Sequence, residues 1–121
     1  MQSTLRIAPD ILATEMGRDC CNYMFANCKK LVTDITHPYI AISNINKLSI
    51  CGFNYMFYDC SLVGELTLNF TNTTTSTVNA KFNSWLSNVK STGKFYTVST
   101  CNWPSGISGI PTGWTRINTD E

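Results

Sequence analysis

His37 is the only imidazole in this 121-residue chain, and it stands directly before Pro38. A Ser-His-Asp or Cys-His arrangement for nucleophilic catalysis would have to run through that ring. A histidine in a proline turn is the ordinary surface kind. The carboxylates at 10, 15, 19, 34, 59 and 65 are scattered along the chain. No two of them must share a cleft, as paired-carboxylate glycoside hydrolysis requires. A glycine-rich phosphate loop and a metal-binding helix motif are both missing. The cysteines, at 20, 21, 28, 51, 60 and 101, contain no Cys-x-x-Cys pair, so a zinc site lacks its usual spacing. The expectation is a chain that is not an enzyme, with no catalytic residue, no metal and no cofactor. The competing reading from another class is a small hydrolase, which would need a cleft holding His37 beside a carboxylate and a nucleophile.

Binding has more to work with. Tyr39, Tyr58, Tyr96 and Trp103 fall at predicted corners or in the tail, among Asn and Thr neighbours. Exposed aromatics in such company suit stacking on a glycan or contact with a protein. These four are the candidate ligand-binding residues. For Trp103, as for Trp114, the structural alternative is that the ring folds over the end of the core.

Composition narrows the partners. The net charge is +1 and charged residues make up 14% of the chain, well below the roughly 25% of an average soluble domain. Steering toward nucleic acid or an anionic membrane is not expected. The only doubled basic pair, Lys29-Lys30, reads as solvated surface. No apolar run approaches the roughly 18 residues of a membrane span, so no membrane insertion is expected. The first residues lack a basic segment followed by an apolar core, so no secretion signal is read there. An uncharged polar surface is common in extracellular and virion proteins.

The elements that must position these residues are announced by a repeat. Asn22-Tyr23-Met24-Phe25 with Cys28 recurs as Asn54-Tyr55-Met56-Phe57 with Cys60, at an offset of 54 minus 22, or 32. A degenerate third copy, Asn83-Ser84-Trp85-Leu86 through Val89, follows at 83 minus 54, or 29. Each replacement in it stays apolar, as a shared buried row demands. Periods of about 20–50 residues point to solenoids. The equivalence of Cys28 and Cys60 predicts a ladder of buried free thiols. A bridge stays open, because stacked positions about 4.8 Å apart fall inside disulfide reach.

The predicted fold is α/β and solenoid-like: a short leucine-rich-repeat array of about three strand-turn-helix units with a C-terminal β cap. Unit 1 spans 9–37, unit 2 spans 38–70, a degenerate unit 3 spans 71–98 and the cap 99–121, all in one domain. Unit 2 carries extra residues that should bulge around Ser43 to Asn46. Strands are expected at 31–35, around 62–68, at 93–98 and at 115–118. The Thr-rich stretch 71–77 reads as an exposed loop leading into helix from Val78.

Two residue patterns carry a resemblance. Pro9-Asp10-Ile11-Leu12-Ala13-Thr14, then Cys20, Met24-Phe25, Cys28 and Leu31, resembles the BspA-like leucine-rich repeats of bacterial surface proteins. The ending Ser84-Trp85-Leu86, Ser91-Thr92-Gly93-Lys94-Phe95, Trp103-Pro104, Gly109-Ile110-Pro111 and Gly113-Trp114-Thr115 is similar to the cap of such arrays, in bacteria and their phages. The resemblance implies a strand-and-turn solenoid with a role in adhesion or in glycan or protein binding, and no family-wide catalytic residues. The expected function is thus a non-enzymatic binding or structural module on a cell surface or virion. A phage tail-fibre or head-fibre component is the alternative. The N-terminal edge, near Leu5 to Ile11, is expected to be covered by a copy of the chain, a partner or more of a parent chain.

Overall fold

The computed structural model describes residues 6–15, 17, 21–48, 52–71 and 73–120. Leu5 of the N-terminal edge, Met16, Asp19, Cys20, Cys51 and Asn72 lie outside the described residues.

The solenoid of strand-turn-helix units does not form. Among the described residues, regular structure consists of three parallel strands, β1 (Glu65–Thr67), β2 (Gly93–Thr97) and β3 (Trp114–Asn118), with one seven-residue helix, α1 (Thr75–Lys81). A 3-10 turn occupies Ile45–Lys47. The strands make an open sheet in the order β1-β2-β3, with Glu65 beside Lys94 and Lys94 beside Thr115. The expected cap therefore contributes a strand to the sheet. Among the described residues of unit 1 there is neither strand nor helix.

Side-chain hydrogen bonding explains the missing strand of unit 1. The segment 33–35 runs beside β1, but the Glu65 N–H donates to Thr33 Oγ1 at 3.4 Å and Thr67 Oγ1 donates to the Ile35 carbonyl at 3.0 Å. Threonine hydroxyls thus stand in for the backbone ladder, a competition such residues win readily. Pro38 then has no N–H with which to extend pairing.

The repeated motif builds turns. Tyr23, Tyr55 and Ser84 sit at φ of 60, 56 and 53°, and Asn27, Asp59 and Asn88 at 64, 63 and 61°. Left-handed residues four apart are incompatible with either a helix or a strand. The three turns lie side by side and bond through the backbone. Cys21, Tyr23, Phe25 and Asn27 donate to the carbonyls of Gly52, Asn54, Met56 and Tyr58 at 2.8–3.0 Å. Phe53, Tyr55, Phe57 and Asp59 donate in the same way to Lys81, Asn83, Trp85 and Ser87. The last turn is closed by the tail, where Leu86 N–H meets the Ile107 carbonyl and Trp85 Nε1 the Gly109 carbonyl.

Between turns and sheet lies the core. Phe53, Phe70, Phe82, Trp85 and Phe95 are fully buried and Trp103 is packed against them. Phe82 meets Trp85 edge-on at 4.8 Å and Phe53 at 5.2 Å. Such pairs add about 0.5–1.5 kcal/mol beyond the area they bury. Cys28, Cys60 and Cys101 are buried free thiols, and Cys21 is buried as well. Cys60 Sγ donates to the Phe25 carbonyl at 2.8 Å.

Candidate functional site

A groove of about 530 Å³ opens at the C-terminal end of β1, between the segment 35–43 and the strand residue Thr67. Its apolar lining includes Ile35, Pro38, Tyr39 and Ile40, and its polar lining is Thr36, Ser43, Thr67 and Asn69. No charged side chain contributes. Tyr39 is 57% exposed and Ile35 is similarly open, so both side chains are accessible from the groove.

The segment that carries Tyr39 is irregular, yet it is fixed from three sides. Asp34 comes first: its Oδ1 accepts from the Thr36 N–H and hydroxyl and from the His37 N–H, at 2.7–2.8 Å. This local turn is the kind that short carboxylates favour. Asp10 reaches over from 27 residues upstream, its Oδ1 contacting His37 Nδ1 at 2.9 Å and accepting the Tyr39 N–H at 2.7 Å. The Ile11 N–H donates to the Tyr39 carbonyl and the Ala41 N–H returns to the Ile11 carbonyl. At the far end the Thr71 N–H donates to the Ser43 carbonyl at 2.6 Å, and Asn44 caps the 3-10 turn.

These contacts set the local electrostatics. The Tyr39 N–H, then His37, hold the Asp10 carboxyl below the usual carboxylate range. Thr36 does the same for Asp34. The hydrogen bond to Asp10 pushes His37 up from its ordinary value. The His37 ring hydrogen-bonds Asp10, and no hydroxyl or thiol is bonded to it among the described residues. Nor does any group of three or more His, Cys, Asp or Glu stand together as a metal site among them.

The four aromatics proposed from sequence are dispersed. Tyr39 lines the groove. Tyr96 lies on β2 beside Thr67, half-buried, its hydroxyl donating to Glu65 Oε1 at 3.0 Å. It therefore stands one strand away from the groove. Tyr58 belongs to the turn stack, edge-on to Tyr55 at 5.8 Å, while Tyr55 stacks on Tyr23 at 4.8 Å. Trp103 sits against Phe82, Phe95 and Phe70, with Nε1 donating to Thr97 Oγ1. The structure thus gives Trp103 a packing role, and Trp114 is likewise buried with Nε1 on the Lys90 carbonyl. Sequence reasoning missed Ile35, Thr36, Ser43, Thr67 and Asn69. The one available signal was Asp34-Ile35-Thr36-His37-Pro38, which has the composition of a fixed turn.

Among the described residues, no helix is long and apolar enough to cross a membrane. No protein-family model, curated protein or solved structure matches the chain.

Proposed function

We propose that this chain is a non-enzymatic binding module, displayed on a cell surface or virion, that takes a glycan in the groove beside Tyr39. One observation carries the reading: an exposed aromatic ring in a groove whose polar lining is hydroxyl and amide, with no charge. A sugar ring presents an apolar face suited to stacking and a rim of hydroxyls suited to Thr36, Ser43, Thr67 and Asn69. The volume, about 530 Å³, falls within the roughly 300–1,000 Å³ of small-ligand sites. The Asp10 and Asp34 hydrogen bonds hold the Tyr39 segment in place before a ligand arrives, which lowers the ordering cost of binding. The low charge of the chain, 14% of its residues, with polarity drawn from Asn, Ser and Thr, supports the location.

A printed glycan array probed with the wild-type chain, Tyr39→Ala and Tyr58→Ala tests this. Retention of a set of glycans by wild type and Tyr58→Ala, with a loss of about tenfold in Tyr39→Ala, is the expected result. Failure of the wild-type chain to hold any glycan, or retention indifferent to Tyr39→Ala, would count against it.

A further inference from the structure

A second groove, of about 520 Å³, lies along the same sheet toward the start of the strands. Two glycines, Gly64 and Gly93, are among its lining residues. A Cβ on Gly93 would come within 2.7 Å of the Trp114 ring, and a Cβ on Gly64 would meet Lys90 Cδ at 2.9 Å. Any side chain at Gly93 would therefore collide with packed atoms on the core face of β2, where the Trp114 ring lies against it. Lys90 and Lys94 line this groove with the hydroxyl-bearing Thr33, Thr92 and Thr115. Neither ammonium has a carboxylate partner among the described residues. The one carboxylate in the lining, Glu65, accepts the Tyr96 hydroxyl. Two lysines against one glutamate leave the lining at +1.

The two grooves are neighbours in register. Thr33 and Glu65 line the second groove, while Ile35 and Thr67, each two residues further along the same segments, line the first. Two residues of extended chain advance about 7 Å. A single ligand lying along β1 would thus pass from an uncharged aromatic groove into a cationic one.

We propose that the ligand is an acidic oligosaccharide, with a neutral sugar against Tyr39 and a carboxylate-bearing sugar between Lys90 and Lys94. This rests on the glycan reading and adds the ligand's charge and direction. The lysine backbones are held for the task. The Lys90 N–H donates to the Val63 carbonyl, the Lys90 carbonyl accepts Trp114 Nε1, and the Lys94 N–H donates to the Gly64 carbonyl. The ammonium groups are in no ion pair among the described residues, and a carboxylate would engage them in charge-assisted hydrogen bonds.

The test is an array of matched pairs, each a neutral glycan and the same glycan ending in a uronic or sialic acid, with the best pair then titrated calorimetrically. Acidic members should bind about tenfold more tightly than their neutral partners, and the preference should shrink with added salt. The double variant Lys90→Ala/Lys94→Ala should erase the preference while leaving neutral binding intact. Lys94→Glu should reverse it, and thermal unfolding of both variants should match wild type. Equal binding of neutral and acidic members would overturn the acidic assignment and leave the glycan reading standing. Loss of all glycan binding in the wild-type chain would remove both. Displacement of the acidic glycan by an oligoglutamate peptide at equal potency would overturn the assignment in favour of an acidic protein ligand.

Discussion

At the scale of single residues, the chain separates groups that hold the fold from groups left open to a ligand. Cys60 belongs to the first kind. Burial pushes its thiol from 9.0 up to about 11, with the neighbouring Cys28 raising it further and a backbone hydrogen bond opposing. Native Cys60 should resist alkylation at pH 8, since only the thiolate attacks. Mass spectrometry after a short iodoacetamide pulse should show Cys60 unmodified in the native protein and modified in denaturant. The linkage has a definite sign. Below pH 9 both folded and unfolded chains keep the proton, so Cys60 contributes no slope. Between pH 9 and about 11 the unfolded chain loses it first, so stability falls as pH rises through that window. The alignment of Cys28 with Cys60 made the buried thiols readable from sequence. Tyr39 and Trp103 were both binding candidates there, with a ring folded over the end of the core as the alternative for Trp103. Packing shows which role Trp103 takes, because it completes a cluster of five rings drawn from segments far apart in the chain.

At the scale of elements, the three strands were readable and the conformation of the repeated motif was not. Alternation in Gly93–Thr97 marks a strand because Phe95 and Thr97 point into the core while Lys94 and Tyr96 face outward. The Asn-Tyr-Met-Phe copies carry no such signature. Left-handed Tyr23 and Tyr55 are offset by hydrogen bonds to the next copy, and Ser84 by one to the Ser108 hydroxyl of the tail, which no local propensity reveals. The Thr-rich stretch, read as a loop, instead opens α1: Thr74 and Thr77 form a reciprocal capping box. Thr74→Ala should therefore cost about 1 kcal/mol in chemical denaturation, whereas a loop threonine would cost nothing measurable. The Tyr39 segment makes a second element-scale prediction. His37 is raised by Asp10, so its share of the pinning is full below 6.5 and disappears as pH climbs through its folded value. Asp10 is lowered from 3.8, so its share is present above 3.8 and disappears as pH falls through its folded value. The Tyr39 amide should exchange most slowly between about pH 4 and 6.5 once intrinsic rates are divided out. Asp10→Ala should return the His37 titration midpoint, read by NMR, toward 6.5 and speed that exchange.

At the scale of the whole molecule, three short strands and a seven-residue helix cannot supply a fold by themselves. Isolated short helices and small sheets are marginal in water. Cohesion comes from the aromatic cluster that the turn stack and the sheet share. Trp85 is its hub: the ring contacts Phe57, Phe82, Phe95 and Trp103, its Nε1 reaches the Gly109 carbonyl, and its backbone carbonyl accepts the Phe57 N–H. These contacts join the second turn, the third turn, β2 and the tail. Trp85→Ala should cost about 3–5 kcal/mol, a large part of the roughly 5–15 kcal/mol available to a domain of this size. The midpoint of thermal unfolding should fall by roughly 10–20 °C. Because one side chain ties turns to sheet, near-UV dichroism from the core and far-UV dichroism from the backbone should lose their signals together, in the variant as in wild type. If the far-UV signal survived while the near-UV signal collapsed, the turn stack would be holding itself together without the core. The hub assigned to Trp85 would then be wrong.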